Sequence, residues 1–401
     1  MKILIADAFS EKHLDGLRAL GLEVDYRPSL GKGDLPTNVA GVSILVVRST
    51  EVTADTIAAG DALALIVRAG AGVNTINKKA ASARGIFVTN CPGKNSIAVA
   101  ELTIGLLCAL DRRIPDCVAD LRAGKWNKKE YSKANGLFGR TLGVIGAGAI
   151  GREVIRRAHA FGMHVVAYDP FLDEARAKSM GVVRAQTLLE VCAVADAVTI
   201  HVPLGSDTKA LLNEEAIARL KPKAIVINTS RAEVVDAAAL KRAITEKGLR
   251  VALDVFTEEP TEATGAFTDD IVKLPGVYGT HHIGASTEQA QEAIADETVR
   301  IVRAFVERGE VPNCVNLATR SPAAYQLNVR HHDRVGVLAE VLGAIRRHEI
   351  NVEEMENIVF EGAQAAFARI KLGARPPADL VDELRARVDV IIHVDVVELP
   401  K

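Results

Sequence analysis

Apolar and polar positions divide this chain into two rhythms. Up to about residue 310, short apolar runs alternate with stretches of helical period. The runs Ile3–Ala6, Val24–Tyr26, Ile44–Val47, Leu63–Val67 and Ile86–Thr89 predict strands, with helical patterns such as Glu11–Leu20 and Ala54–Ala59 between them. Parallel strands need crossover connections, so this alternation predicts a parallel sheet covered by helices on both faces. A long helical pattern runs from Ser96 through Leu107 to about Arg113. A second block of the same kind opens at Leu142, with later strands predicted at Ala197–His201, Ala224–Asn228, Val251–Asp254 and Val277–Tyr278. A helix over about Ser286–Arg308 follows, and the irregular stretch Gly309–Ala324, with Pro312 and Pro322, reads as a linker.

From about Tyr325 the order changes. Leu327–Val329 predicts a strand and Val335–His348 an amphipathic helix, its apolar side formed by Val337, Leu338, Val341, Leu342 and Ile345. Strands follow at Val352–Ile358 and Ala365–Ile370, then a helix at Leu380–Val388 and a strand at Val390–Val397. The order βαββαβ is that of a small ferredoxin-like unit.

The second block opens on a specific signal. Strand L-G-V-I runs into Gly146, Gly148 and Gly151, a helical run follows (Ile150, Val154, Ile155, Ala158, Phe161), and a strand from His164 to Tyr168 ends in Asp169. Gly146 permits a tight turn, Gly148 admits a pyrophosphate to the backbone, and Gly151 lets the helix lie close to the strand. The helix N-terminus offers free N–H groups to phosphates, and Asp169 can accept from the adenosine ribose hydroxyls. The pattern predicts a nicotinamide dinucleotide site. Asp169 would repel a 2′-phosphate, so NAD is expected over NADP.

Composition narrows the alternatives. At 401 residues the chain is long enough for two or three domains, and 48% hydrophobic with 25% charged residues is ordinary for a soluble globular protein. A net charge of -2 gives no bulk field for nucleic acid or anionic membrane. Cys91, Cys108, Cys117, Cys192 and Cys314 contain no C-x-x-C pair, which predicts neither a disulfide framework nor a metal site and fits a reducing cytoplasm. The opening M-K-I-L-I-A-D reads as a first strand, and no apolar run reaches membrane-spanning length.

Three motifs after the glycine loop carry candidate chemistry: I-N-T-S-R-A-E with Arg231, A-L-D-V-F-T-E-E-P with Asp254 and Glu259, and G-T-H-H-I-G with His282. Oxidation of a 2-hydroxy acid needs a base for the hydroxyl proton, a cation for the carboxylate, and an acid to orient the base. His282, Arg231 and Glu259 are of those types. Spacing alone does not show that they converge. Arg48 and Ser49 follow one predicted strand, Arg68 follows another, and Asn95 precedes the long helix, so all four could face one cleft.

The order of V-V-R-S-T-E-V-T-A-D, V-R-A-G-A-G-V-N, N-C-P-G-K-N-S-I-A-V-A-E-L, the glycine loop, Y-D-P and D-V-F-T-E-E-P resembles the D-isomer-specific 2-hydroxyacid dehydrogenases over nearly the whole chain. The resemblance implies two Rossmann-like doubly wound domains: a discontinuous substrate domain (residues 1–93 and 285–320, the latter including the linker) with an NAD domain (94–284) inserted. It places the catalytic Arg, Glu and His at Arg231, Glu259 and His282. It places cofactor contacts at Gly146, Gly148, Ala149, Ile150, Gly151, Asp169, Val202, Thr229, Asp254, His282 and Gly284. It implies NAD-dependent oxidation of 3-phospho-D-glycerate to 3-phosphohydroxypyruvate, the first step of L-serine biosynthesis. Substrate contacts would be Arg48, Ser49, Arg68, Asn95, the backbone of Gly70, Ala71 and Gly72, and Lys128 offered by a neighbouring subunit. A glyoxylate or hydroxypyruvate reductase and a nucleotide-sensing corepressor share the fold and remain alternatives. The segment 325–401 resembles an ACT domain, which implies an amino-acid effector such as L-serine at His331, Asp333 and Asn351, and a homo-oligomer, expected as a tetramer. The chain departs from the family pattern at Ala149, where a basic residue is common, at Ala232, at His281 in place of Pro, at Asp333 in place of Asn, and at Val335 in place of Pro.

Overall fold

The computed structural model describes residues 1–260, 264–318 and 321–400; residues 319–320 of the predicted linker and the final residue of the C-terminal unit lie outside the described residues. The chain forms two compact units, Met1–Asn316 and Leu317–Lys401.

In the first unit, strands β1 (Lys2–Ile5), β2 (Glu23–Tyr26), β3 (Ile44–Val47), β4 (Leu65–Arg68) and β5 (Phe87–Asn90) form a parallel sheet in the order β2-β1-β3-β4-β5. Its central strand, β3, is apolar and buried throughout, as burial on both faces requires. A second parallel sheet contains β6 (Thr141–Ile145), β7 (His164–Tyr168), β8 (Val183–Arg184), β9 (Ala197–Ile200), β10 (Ile225–Asn228), β11 (Arg250–Leu253) and β12 (Val277–Gly279). Its order is β12-β11-β10-β9-β6-β7-β8, so the direction in which successive strands are added reverses between β6 and β9. Ligands of such sheets bind at the carboxyl edge beside that switch point. The two-residue edge strand β8 was not anticipated from the sequence pattern.

The helix Ser96–Arg112 leaves the first sheet and packs Ala100, Leu107 and Leu110 against Leu142, Ile225 and Ile227 of the second. The helix Glu288–Arg308 returns and buries Ile294, Ile301 and Val302 against Ile3, Ile5 and Ile44 of the first sheet. Burying one such side chain contributes about 1.5–3 kcal/mol, so this packing ties residues from both ends of the unit into one core.

The predicted linker is partly fixed. Val315 donates its N–H to Val88 O (2.8 Å), the Asn316 amide donates to Ile86 O (2.9 Å), and its oxygen accepts from Val88 N (2.8 Å). Backbone groups at the free edge of β5 take these partners, because an unpaired edge seeks them. The free stretch therefore begins only after Asn316.

The second unit follows the predicted βαββαβ order. Strands β13 (Tyr325–His332), β14 (Val352–Val359), β15 (Ala365–Leu372) and β16 (Ile391–Glu398) form an antiparallel sheet, β14-β15-β13-β16. Helices Val337–Arg347 and Ala378–Ala386 cover one face through Val341, Ile345, Leu380 and Leu384. The other face carries cross-strand ion pairs, Glu354–Lys371 at 2.5 Å and Glu356–Arg369 at 3.6 Å.

Candidate active site

The glycine loop is built by sterics. Gly146 has φ +92, and a Cβ there would stand 2.5 Å from the carbonyl oxygen of His201. A Cβ on Gly151 would stand 2.0 Å from Gly146 O, so only glycine lets the helix Ala149–Ala160 begin this close to β6. Gly148 is different: among the described residues nothing lies within 4 Å of its missing Cβ, so the loop is open there. Asp169, just after β7, accepts from Ala147 N at 2.8 Å and from Phe171 N at 2.8 Å. Ala149 and Ile150 begin the helix, Val202 follows β9, and Thr229, just after β10, shares its hydroxyl with Thr103 at 3.2 Å. These residues share one sheet edge. An open, uncharged loop, a helix N-terminus and a carboxylate at the next strand end fit a dinucleotide.

His201 was not singled out by the sequence. It is buried beneath this loop, its Nε2 is 2.9 Å from Thr199 Oγ1, and its Nδ1 has no partner among the described residues. Burial pushes its pKa down to about 3, so the ring is neutral at physiological pH.

Further along the edge, His282 and Glu259 meet across 23 residues of sequence, with Nδ1 2.7 Å from Oε2. The other Glu259 oxygen accepts from Phe256 N at 2.8 Å. Burial works to raise the Glu259 carboxyl, but the hydrogen bonds from His282 and Phe256 N, with the charges of His282 and Arg231, outweigh it and hold it below the ordinary carboxylate range. The carboxylate can therefore stay ionised and hold the imidazole tautomer that leaves Nε2 toward a substrate. His282 sits at φ +53, in the left-handed region. Asp254 is what sustains this. It is 1% exposed and accepts from Thr280 Oγ1 at 2.6 Å, Ile283 N at 2.9 Å and Gly284 N at 2.9 Å, clamping the loop on both sides of the histidine.

Arg231 follows β10. Asn228, a residue the sequence reading passed over, shapes its turn: its amide donates to Arg231 O at 2.8 Å, and its oxygen accepts from Ser230 N at 3.0 Å and Ser230 Oγ at 2.8 Å. Arg231 Nη2 reaches across to the first sheet and lies 2.4 Å from where a Cβ on Gly72 would be. Arg68 lies folded against Gly70, with its Nε buried and without a partner among the described residues. Burial, then the charges of Arg231 and Arg48, push the Arg68 guanidinium down to about 10. Three guanidiniums thus share one locality.

The backbone around them is partly committed. Asp7 accepts from the N–H groups of Arg48 (2.7 Å), Ser49 (3.2 Å) and Thr50 (3.2 Å). Gly70 N donates to Arg68 O at 2.8 Å, which corrects the expectation that all three N–H groups of Gly70, Ala71 and Gly72 face a ligand. Asn95 stands at the start of the Ser96–Arg112 helix without capping it, and its Oδ1 is buried with no partner among the described residues. Arg48 also lines a cavity of about 290 Å³ with Ser10 and Gln291.

Two predicted groupings are not brought together within the chain. Lys128 sits on the short helix Lys128–Tyr131, tied to Asp120 and Arg113 by Tyr131 Oη (2.7 Å) and Glu130 (2.6 Å). Arg113 lines a cavity with Arg250, the first residue of β11, so this region borders the sheet edge opposite the site. In the second unit, His331 is buried with Nε2 3.1 Å from Asn357 Oδ1, and Asp333 follows β13 at the same end. Asn351 precedes β14 at the other end. Val352 pairs with Leu372, whereas His332 pairs with Ala365, so the length of β15, about 23 Å at 3.3 Å per residue, separates them. His331 and Asn351 therefore do not meet within one copy of this unit.

Comparison with known proteins places these features. Residues 104–284 match the family model for the D-isomer specific 2-hydroxyacid dehydrogenase, NAD binding domain, and residues 325–389 match the ACT domain. The chain is 38% identical over 375 residues to the D-3-phosphoglycerate dehydrogenase of Methanocaldococcus jannaschii, covering 93% of this chain and 67% of that protein. It is 33% identical over 396 residues to that of Bacillus subtilis, covering 98% and 72%. Among solved structures, the NAD+-bound 3-phosphoglycerate dehydrogenase of Entamoeba histolytica superposes with TM-score 0.66 at 27% identity, covering 79% of this chain and 99% of that one.

Proposed function

We propose, from the premise that this chain belongs to the D-isomer specific 2-hydroxyacid dehydrogenase family, that it is a D-3-phosphoglycerate dehydrogenase oxidising 3-phospho-D-glycerate to 3-phosphohydroxypyruvate with NAD. The observation that carries the choice of substrate is the cluster of Arg48, Arg68 and Arg231. Burial and mutual repulsion both disfavour three cations in one place. A substrate with a carboxylate and a phosphate relieves that cost; lactate or glyoxylate brings only one anionic group.

Bound at the glycine loop, NAD would accept the hydride from the substrate's C2. His282 takes the C2 hydroxyl proton on Nε2 while Glu259 holds Nδ1–H and stabilises the imidazolium. Arg231 binds the carboxylate and polarises the forming carbonyl. Ala71 and Gly72 offer N–H groups to the same carboxylate. Arg48 and Arg68 hold the phosphate, with Ser49 and Asn95 beside it. Asp254 keeps His282 aimed, with Gly284 and Thr229 beside the nicotinamide. The discontinuous partition, residues 1–93 with 285–320 around 94–284, supplies a cleft that could close on this set. The test is NADH formation from 3-phosphoglycerate compared with D-lactate and D-glycerate: a preference below about 10-fold for the phosphorylated acid refutes the assignment.

We further propose a homo-oligomer, a tetramer, with L-serine acting through the C-terminal ACT domain and Lys128 offered to a neighbouring subunit. The helix Ile114–Arg122 buries none of its residues, and Ile114, Leu121 and, beyond it, Trp126 are 47%, 53% and 81% exposed. An apolar stripe of this kind is suited to a second copy.

A further inference from the structure

The glycine loop carries no charge of its own. Residues 146–151 are Gly, Ala, Gly, Ala, Ile and Gly, so the two negative charges of a pyrophosphate would meet only N–H dipoles and the helix end. Arg152 is the first cation along the helix Ala149–Ala160. Helical side chains lean toward the N-terminus, over the turn before their own Cα. Arg152 does so: its Nε donates to Gly148 O at 3.3 Å, which lays the side chain back along the loop. Residues 149 and 152 are neighbours on one helix face, and the Ala149 methyl leaves that surface free.

The surrounding charges leave Arg152 available. Glu153, next in sequence, is occupied by Arg156 at 2.8 Å and Arg157 at 2.5 Å, and Arg157 also reaches Glu101 at 3.1 Å. Among the described residues Arg152 has no carboxylate partner, and it is exposed at the open side of the loop where Gly148 has nothing within 4 Å. We propose that Arg152 is a cofactor-binding residue, swinging from Gly148 O to pair with the pyrophosphate of NAD and supplying the positive charge that the loop lacks. A planar fork on a flexible stem suits two adjacent phosphate groups.

This inference rests on the dinucleotide reading of the loop, and the test separates the two. Binding of NADH is measured by fluorescence titration, with ADP-ribose and adenosine as competitors, for the wild type, Arg152→Ala and Arg152→Lys. Loss of an exposed charge-assisted contact predicts that Arg152→Ala weakens NADH and ADP-ribose by roughly 10-fold and leaves adenosine unchanged. Arg152→Lys should recover part of the loss, because charge without the fork remains. Wild-type affinity for NADH in Arg152→Ala, or an equal loss on adenosine, overturns the proposal. A wild type that binds none of the three overturns the dinucleotide reading, and this inference with it.

Discussion

Replacing Glu297 by Gln tests how the two halves of the first unit are joined. Glu297 lies on the returning helix, is 6% exposed, and gathers partners from three segments. Arg300 binds it through two nitrogens at 2.6 and 3.0 Å, Asn313 donates at 2.8 Å, and Lys94 stands at 3.4 Å. Asn313 also donates to Asn90 O at 3.2 Å, at the end of β5. Arg300 first, against the cost of burial, and then Asn313 and Lys94 bring the carboxyl down from 4.5 to about 2. The folded value is depressed, so the stabilisation is fully present above the unfolded value and lost as pH falls through the folded one. The shift corresponds to about 3 kcal/mol at pH 7 and, by linkage, about 2 kcal/mol at pH 3.5. Glutamine keeps the shape and removes the charge. Urea unfolding of wild type and Glu297→Gln at both pH values should show a gap of that order at neutral pH that narrows in acid. A gap that is absent at pH 7, or that widens on acidification, refutes the reasoning. Lys94 precedes Asn95, so the variant should also raise the apparent KM for substrate more than it lowers kcat.

Other outcomes follow from the site. His282→Gln should lower kcat by roughly 100-fold or more, the scale of a lost general acid/base, as read from steady-state NADH formation. Arg48→Ala should weaken 3-phosphoglycerate by roughly 10- to 150-fold while leaving an unphosphorylated hydroxy acid nearly unaffected; equal losses would give Arg48 a purely structural role. NAD should be preferred over NADP in kcat/KM, and Asp169→Ala should narrow that preference. Removal of residues from Tyr325 onward should spare catalysis, reduce subunit number by light scattering, and abolish any response to serine.

What the sequence disclosed depended on how local the physics was. The segment Gly146 to Asp169 was legible because strand, glycine turn, helix and second strand follow one another within about two dozen residues; the structure adds that the Gly151 constraint is local, whereas the Gly146 constraint comes from the distant His201 carbonyl. The strands of both units, apart from the two-residue edge strand β8, were legible because burial on one or two faces writes directly into the apolar pattern. Convergence was not. His282 and Glu259 are recognisable as types, but their 2.7 Å contact depends on the path of the chain between them. Asn228 and Asp254 work as buried acceptors that shape turns, and a buried acceptor has no periodicity to betray it. The helix Ile114–Arg122 was missed for the converse reason: with none of its residues buried, its pattern does not point to a core within the chain.

The separation of Asp333 from Asn351 has a thermodynamic consequence. If an effector must touch both, no single copy of the ACT domain can hold it, and the binding site comes into existence only when two copies meet. Such an effector is a molecular glue. Its half-saturation point then falls as protein concentration rises, and dilution releases it without any change in its own concentration. A dose–response curve would describe the crowd as much as the ligand, and inhibition measured at assay dilution would understate the control exerted where the enzyme is abundant.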